Sequence, residues 1–177
     1  MELELVIFLV CASAFAGLVD SIAGGGGLIQ LPSLLVALPN TQPSVILGTN
    51  KLPSSLGTAT ATITYLRGLR PNLRIATLMA IPAFIGSAIG ARVATLIPKE
   101  AFRPIILIAL IGVFTYTLIK KDLGLVENKS MDNRKNGITA IFFGLAIGFY
   151  DGIFGPGTGT FLMLILVGLL GYAFLEA

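Results

Sequence analysis

The 177-residue chain lacks histidine and tryptophan, has a single cysteine and carries few charged residues. Without histidine it lacks the commonest general base and metal ligand. The lone Cys11 lies in an apolar segment, so no disulfide framework and no cysteine metal cluster is expected. The glycine runs do not complete a nucleotide-binding motif, and the sequence has no serine elbow. We therefore expect neither catalysis nor a metal or other cofactor.

The composition is that of an integral membrane protein. Charged residues make up 12% of the chain and hydrophobic residues 55%, whereas a soluble domain has about 25% charged residues. This predicts an all-α, polytopic transmembrane helical bundle in the lipid bilayer of the cell (inner) membrane. The net charge of +3 comes from basic residues between apolar segments, which indicates lipid headgroups as their partners and no nucleic acid.

A glycine-broken apolar segment occurs twice. The first copy covers residues 17–31 and the second, 131 residues later, covers residues 148–162. Each copy places one aspartate, Asp20 or Asp151, just before a run of glycines. Two such breaks in corresponding halves of a membrane protein point to a transporter binding site.

The duplication predicts two repeats, each with a glycine-broken helix followed by a short or re-entrant helix. We assign residues 1–119 to the first repeat, 120–136 to a cytoplasmic loop and 137–177 to the start of an incomplete second repeat. Basic residues in the 67–74 and 120–136 loops place both loops in the cytoplasm. If the short stretch at 28–38 completes a crossing, the two copies are inverted. If it is re-entrant instead, they are parallel. We favour the inverted arrangement.

Local signals give three further expectations. The mixed segment at 44–66 is predicted to be interrupted at 48–53, which contains a glycine and a proline. Residues 98–104 are predicted to form a loop. Gly86 and Gly90, four residues apart, are predicted to form a small-residue face for helix packing.

The chemistry of a broken helix favours anions. The first N–H groups of the helix after a break have no partner within it and carry a partial positive charge. Successive glycine N–H groups form an anion nest that an oxyanion can approach closely. The alternative is that the glycines only allow close helix packing. The predicted substrate-binding residues are Gly24, Gly25, Gly26, Gly27, Asn50, Lys51, Gly155, Gly157, Thr158, Gly159 and Thr160.

Three polar features have more than one interpretation. Asp20 and Asp151 would couple transport to H+ or Na+, cap the next helix, or pair with a basic residue. Lys51 would neutralise the charge of Asp20, attract an anion, or extend its side chain to a membrane interface. The hydroxyl-rich stretch at 54–64 would line a hydrated pathway or form interhelical hydrogen bonds.

At residues 17–32, 47–52 and 148–161 the sequence resembles the TauE/SafE family of membrane transporters, also called the sulfite exporter or TSUP family. The resemblance implies two homologous halves and transport of small anions, often sulfur oxyanions such as sulfite, sulfoacetate or sulfolactate. Its motif residues, carried over by position, are Asp20, Gly24 to Gly27, Asn50, Lys51, Asp151 and Gly155 to Gly159.

The predicted function is alternating-access transport, as an exporter, of a small anion such as a sulfur oxyanion, organosulfonate or carboxylate. Family members are usually longer, and the second counterpart of Asn50 and Lys51 would fall beyond Ala177. We therefore expect a truncated product, or helices supplied by self-association or a complementing chain. The alternatives are a non-transporting membrane subunit, an inactive remnant, or an anion channel.

Overall fold

A computed structural model describes residues 3–23, 26–68, 72–119, 133–172 and 177, and these residues form helices and no strands. Three helical segments of this part are long and apolar enough to cross a membrane: Leu3–Ser21, Leu73–Ala94 and Asn136–Ile153. The predicted all-α transmembrane bundle is confirmed. The helices are α1 (Leu3–Ala23), α2 (Gly27–Ala37), α3 (Pro43–Gly68), α4 (Leu73–Ala94), α5 (Lys99–Ile119), α6 (Asn133–Ile153) and α7 (Thr158–Gly168).

Two local predictions are wrong. Helix α3 is continuous through the predicted interruption at 48–53, with Pro53 inside it. A proline removes one main-chain hydrogen bond, which transmembrane helices tolerate. Helix α5 begins at Lys99, within the predicted loop, because the Pro98 carbonyl accepts the Phe102 N–H at 3.0 Å. Phe102, only 1% exposed, anchors this first turn in the core.

Helices α4 and α6 pack backbone to backbone through glycines. A Cβ on Gly90 would overlap the Phe149 carbonyl oxygen, and one on Gly148 would overlap the Ala83 carbonyl oxygen. Such close approach is typical of small-residue interfaces between membrane helices. The packing face predicted at Gly86 and Gly90 is confirmed, and glycines of α6 meet it.

The order of these contacts gives the helix directions. Gly144 lies against Met79, Gly148 against Ala83, and Gly152 against Ser87. Because the residue numbers rise together, α4 and α6 are parallel.

Helix α7 folds back along α6. Leu170 is buried in the same cluster as Ala140, near the start of α6. Two residues after Leu170, the Tyr172 hydroxyl accepts a hydrogen bond from Asn72 Nδ2 at 3.2 Å. Asn72 lies at the start of α4. The break between α6 and α7 is therefore the tip of a helical hairpin, in which α7 returns to the end of the molecule where α4 and α6 begin.

Helix α2 likewise folds back along α1. A Cβ on Gly26 would lie 2.6 Å from the Ala16 carbonyl oxygen, so the chain has already turned back at Gly26. Leu9 packs against the core cluster that contains Leu31 and Leu35 of α2. The first break is therefore also the tip of a hairpin.

The two hairpins open at opposite ends of the molecule. Helix α2 leads into α3, whose early residues Ile46 and Leu47 share a core cluster with Ala94 at the end of α4. The α1–α2 hairpin therefore opens where α4 ends, and the α6–α7 hairpin opens where α4 begins. These contacts agree with the inverted arrangement. The repeat boundaries and the cytoplasmic side stay predictions, and residues 120–132 lie outside the described part.

Candidate functional site

The first break is held by Asp20. Its Oδ1 accepts the Gly26 N–H at 2.9 Å, and the Gly26 carbonyl accepts the Gln30 N–H that starts α2. Gly26 has an ordinary φ of −56°, so glycine is needed there for the close approach to α1 and not for its backbone conformation. The cap that we predicted as one role of Asp20 is present. Gly24 and Gly25 lie outside the described residues.

The second break is held by hydroxyl groups and by left-handed glycines. Gly155 and Gly157 have φ values of 85° and 80°, where any side chain would be strained. The Thr158 hydroxyl lies 2.7 Å from Asp151 Oδ1 and 2.7 Å from the Gly155 carbonyl oxygen. The Tyr150 hydroxyl donates to the Pro156 carbonyl at 2.9 Å. These contacts fix the loop that precedes α7.

Lys51 of α3 reaches the second break and not the first. Its Nζ forms an ion pair with Asp151 Oδ2, and the two side chains are 40% and 25% exposed. A Cβ on Gly155 would lie 3.2 Å from Lys51 Nζ, so the lysine lies directly against the glycine backbone. The suggested balance between Lys51 and Asp20 is absent, because the α6–α7 hairpin brings Asp151 to Lys51.

The two breaks meet beside Asn50. A Cβ on Gly27 would lie 3.4 Å from Pro156 Cα and 3.9 Å from Asn50 Nδ2. Asn50 is only 5% exposed, and its Oδ1 has no hydrogen-bond partner within the described chain. The two copies of the duplicated motif thus contact each other through Gly27 and Pro156.

The structure brings together most of the predicted site, with two exceptions in α7. Gly159 is exposed and Thr160 is half-buried in the first turn of α7, and neither makes the contacts described above. Sequence reasoning missed Tyr150 and Pro156, although both lie inside the second motif. The grouped residues are Asp20, Gly26, Gly27, Asn50, Lys51, Asp151, Gly155, Gly157 and Thr158.

The hydroxyl-rich stretch of α3 is satisfied within its own helix. The Thr58, Thr60, Thr62 and Thr64 hydroxyls each donate to the carbonyl four residues earlier. This local bonding is the usual way for threonine to satisfy its hydroxyl in a helix. These four hydroxyls make no interhelical hydrogen bond among the residues that the structure describes, and the hydrated pathway stays a prediction.

The site combines one basic side chain, two carboxylates and two helix N-termini. The N-termini of α2 and α7 each add partial positive charge to that of Lys51. Asp20 and Asp151 each compensate one break through a hydrogen bond or ion pair. No group of three or more Cys, Asp or Glu side chains able to hold a metal occurs among the residues that the structure describes.

Long apolar helices and two helical hairpins that meet at their tips define a multi-pass, all-α membrane protein. The family model described as "Sulfite exporter TauE/SafE" matches residues 9–177. The chain belongs to the TauE/SafE family.

Three curated relatives support this assignment. A "Probable membrane transporter protein ORF9" of Sinorhizobium sp is 39% identical over 100% of this chain and 66% of its own length. A "Probable membrane transporter protein" of Haemophilus influenzae is 36% identical over 96% and 65%. The "Probable membrane transporter protein YfcA" of Escherichia coli K12 is 36% identical over 97% and 62%. The chain thus spans just under two thirds of the length of these relatives. No solved structure matches the chain.

Proposed function

We propose that the chain is a membrane transporter, acting as an exporter, for a small anion such as a sulfur oxyanion, organosulfonate or carboxylate. The observation that carries this proposal is the contact between Gly27 and Pro156 beside Lys51, where two broken helices meet. The description of the family as sulfite exporters and the transporter names of the relatives support the same reading.

The inverted hairpins suggest how such a site would alternate in access. One hairpin opens toward each end of the molecule, and their tips meet at the proposed anion site. A small movement of one hairpin against the other would therefore open the site to one side at a time, as in other inverted-repeat transporters.

The ion pair suggests proton coupling. An incoming anion competes with Asp151 for Lys51, because the two side chains already form an ion pair. If Asp151 takes up a proton when the anion binds, Lys51 stays paired and the charge of the site is unchanged. We therefore propose that one proton moves in the same direction as each anion, through Asp151, so that export follows the outward gradient of the anion and an inward proton gradient opposes it.

The experiment that tests this function measures sulfite and sulfonate flux in proteoliposomes containing Lys51→Met. We expect the flux to fall about tenfold or more, because a charge-assisted hydrogen bond contributes about 1.5 to 3 kcal/mol. Lys51→Arg keeps the charge and should retain most of the flux. Arg92→Gln removes an exposed charge on α4 and should leave the flux unchanged.

Three results would contradict the proposal. Equal flux in Lys51→Met and the unaltered chain would show that Lys51 does not bind the transported anion. Flux that ignores the proton gradient but retains anion selectivity would indicate a channel. No flux of any tested anion by the unaltered chain would favour a non-transporting subunit.

A further inference from the structure

Asn50 presents a buried acceptor that has no donor within the described part of the chain. Its side chain is 5% exposed, and Oδ1 has no hydrogen-bond partner among the described residues. A buried polar atom without a partner costs free energy, so native structures leave few of them. The Asn50 amide lies beside Gly27, at the meeting point of the two breaks. The Asn50 side chain therefore borders the proposed anion site, and its Oδ1 is an unsatisfied acceptor.

The electrostatics of the site limit what can pair with this acceptor. Helix α2 begins at Gly27, and the Lys51 ammonium group lies against Gly155, whose neighbour Pro156 contacts Gly27. Both features disfavour a metal cation next to Oδ1. An anionic oxygen is repelled by an amide oxygen, which is itself an acceptor. The remaining partner is an O–H or N–H donor.

We propose that Asn50 accepts a hydrogen bond from the transported anion itself. The substrate class is then an anion that carries an O–H group close to its charge: a hydroxysulfonate, a hydroxycarboxylate or a singly protonated oxyanion. This inference rests on the proposed function, because it assigns the substrate class of the same site. It makes Asn50 a specificity-determining residue, whereas Lys51 and the glycine backbone bind the charge.

The test uses pairs of anions that differ by one hydroxyl. Binding of isethionate (hydroxyethanesulfonate) and ethanesulfonate to the purified chain is measured by thermal stabilisation, and lactate with propionate forms a second pair. We expect the hydroxylated member of each pair to bind about tenfold more tightly, since its absence leaves a buried acceptor unpaired. At a fixed ligand concentration, tighter binding to the folded state raises the melting temperature further, with the logarithm of the affinity.

Variants of Asn50 separate hydrogen bonding from packing. Asn50→Leu should reduce the ratio of the two binding affinities, hydroxylated to non-hydroxylated anion, to about one, because the acceptor is gone. Asn50→Asp keeps an acceptor of the same shape and should keep the preference, while its negative charge weakens binding of both anions. Thr58→Val is the matched control, because the Thr58 hydroxyl is exposed and bonded within α3.

Each outcome decides the inference. Equal binding of isethionate and ethanesulfonate to the unaltered chain overturns the role of Asn50 but leaves the proposed anion site intact. If Asn50→Leu weakens the binding of both anions by the same factor, Asn50 is a packing residue and the inference is wrong. If no tested anion stabilises the unaltered chain, the proposed function fails, and the inference fails with it.

Discussion

At the scale of single residues, two aspartates in the same register of the duplicated motif have different surroundings. Asp20 is exposed and accepts the Gly26 N–H. Asp151 is partly buried, pairs with Lys51 and accepts from Thr158. The sequence identified both carboxylates but could not separate them, because the difference comes from α3, which contributes a lysine to one break only.

This difference predicts unequal effects of removing the two charges. Asp151→Asn releases Lys51, so we expect anion binding to tighten about fivefold, corresponding to about 1 kcal/mol for a half-exposed ion pair. We also expect the proton gradient to stop driving flux. Asp20→Asn keeps an oxygen that can accept the Gly26 N–H, so flux should change by less than about twofold.

Both effects are measured in proteoliposomes with and without an imposed pH gradient. Unchanged gradient-driven flux in Asp151→Asn would show that coupling does not depend on this carboxylate. A larger loss in Asp20→Asn than in Asp151→Asn would reverse the assignment of the two roles.

At the scale of helices, the glycines serve two separate purposes. Gly155 and Gly157 are required by positive φ values in the second break. Gly90 and Gly148 are required by the contact between the backbones of α4 and α6. Sequence spacing predicted the face on α4. It did not predict the partner helix, because two residues four apart say nothing about which surface they meet.

The packing role predicts a stability difference between two glycine-to-alanine substitutions. Gly90→Ala places a methyl group into the α6 backbone and should lower the free energy of unfolding by about 1 to 3 kcal/mol. Gly57→Ala is the matched control in α3, where a Cβ would meet no atom within 4 Å. It should leave stability unchanged or raise it by about 0.5 to 1 kcal/mol.

Thermal unfolding of both variants in detergent checks this prediction. A lower stability for Gly57→Ala than for Gly90→Ala would contradict the packing of α4 on α6.

Helix boundaries show where local signals fail. Pro53 and the segment at 98–104 looked like interruptions, yet α3 and α5 run through them. In α5, burial of Phe102 holds the first turn in place. The positions of prolines and charges in the sequence do not predict such tertiary contacts. The existence of each helix was therefore more predictable than its ends.

At the scale of the whole molecule, the repeated motif and the basic loops predicted an inverted pair of broken helices, and the helix contacts agree. The contact between the two tips was not predictable, because it depends on how far each hairpin reaches into the bundle. The second half of α3, from Leu52 to Gly68, is exposed throughout. Self-association or a complementing chain stays a prediction for this surface.

Crosslinking the two tips tests the central claim most directly. A Cβ on Gly27 would lie 3.7 Å from Pro156 Cβ, a separation that suits a disulfide. With Cys11→Ser as background, the double variant Gly27→Cys and Pro156→Cys should form this bond under mild oxidation. Loss of thiol labelling in the monomer measures it. Gly48→Cys with Pro156→Cys is the control, since no atom lies within 4 Å of a Cβ at Gly48.

We predict an intramolecular crosslink in the first pair and none in the control, together with loss of anion flux when the tips are locked. If the first pair stays freely labelled, or crosslinks no better than the control, the two broken helices do not meet, and the proposed anion site does not exist.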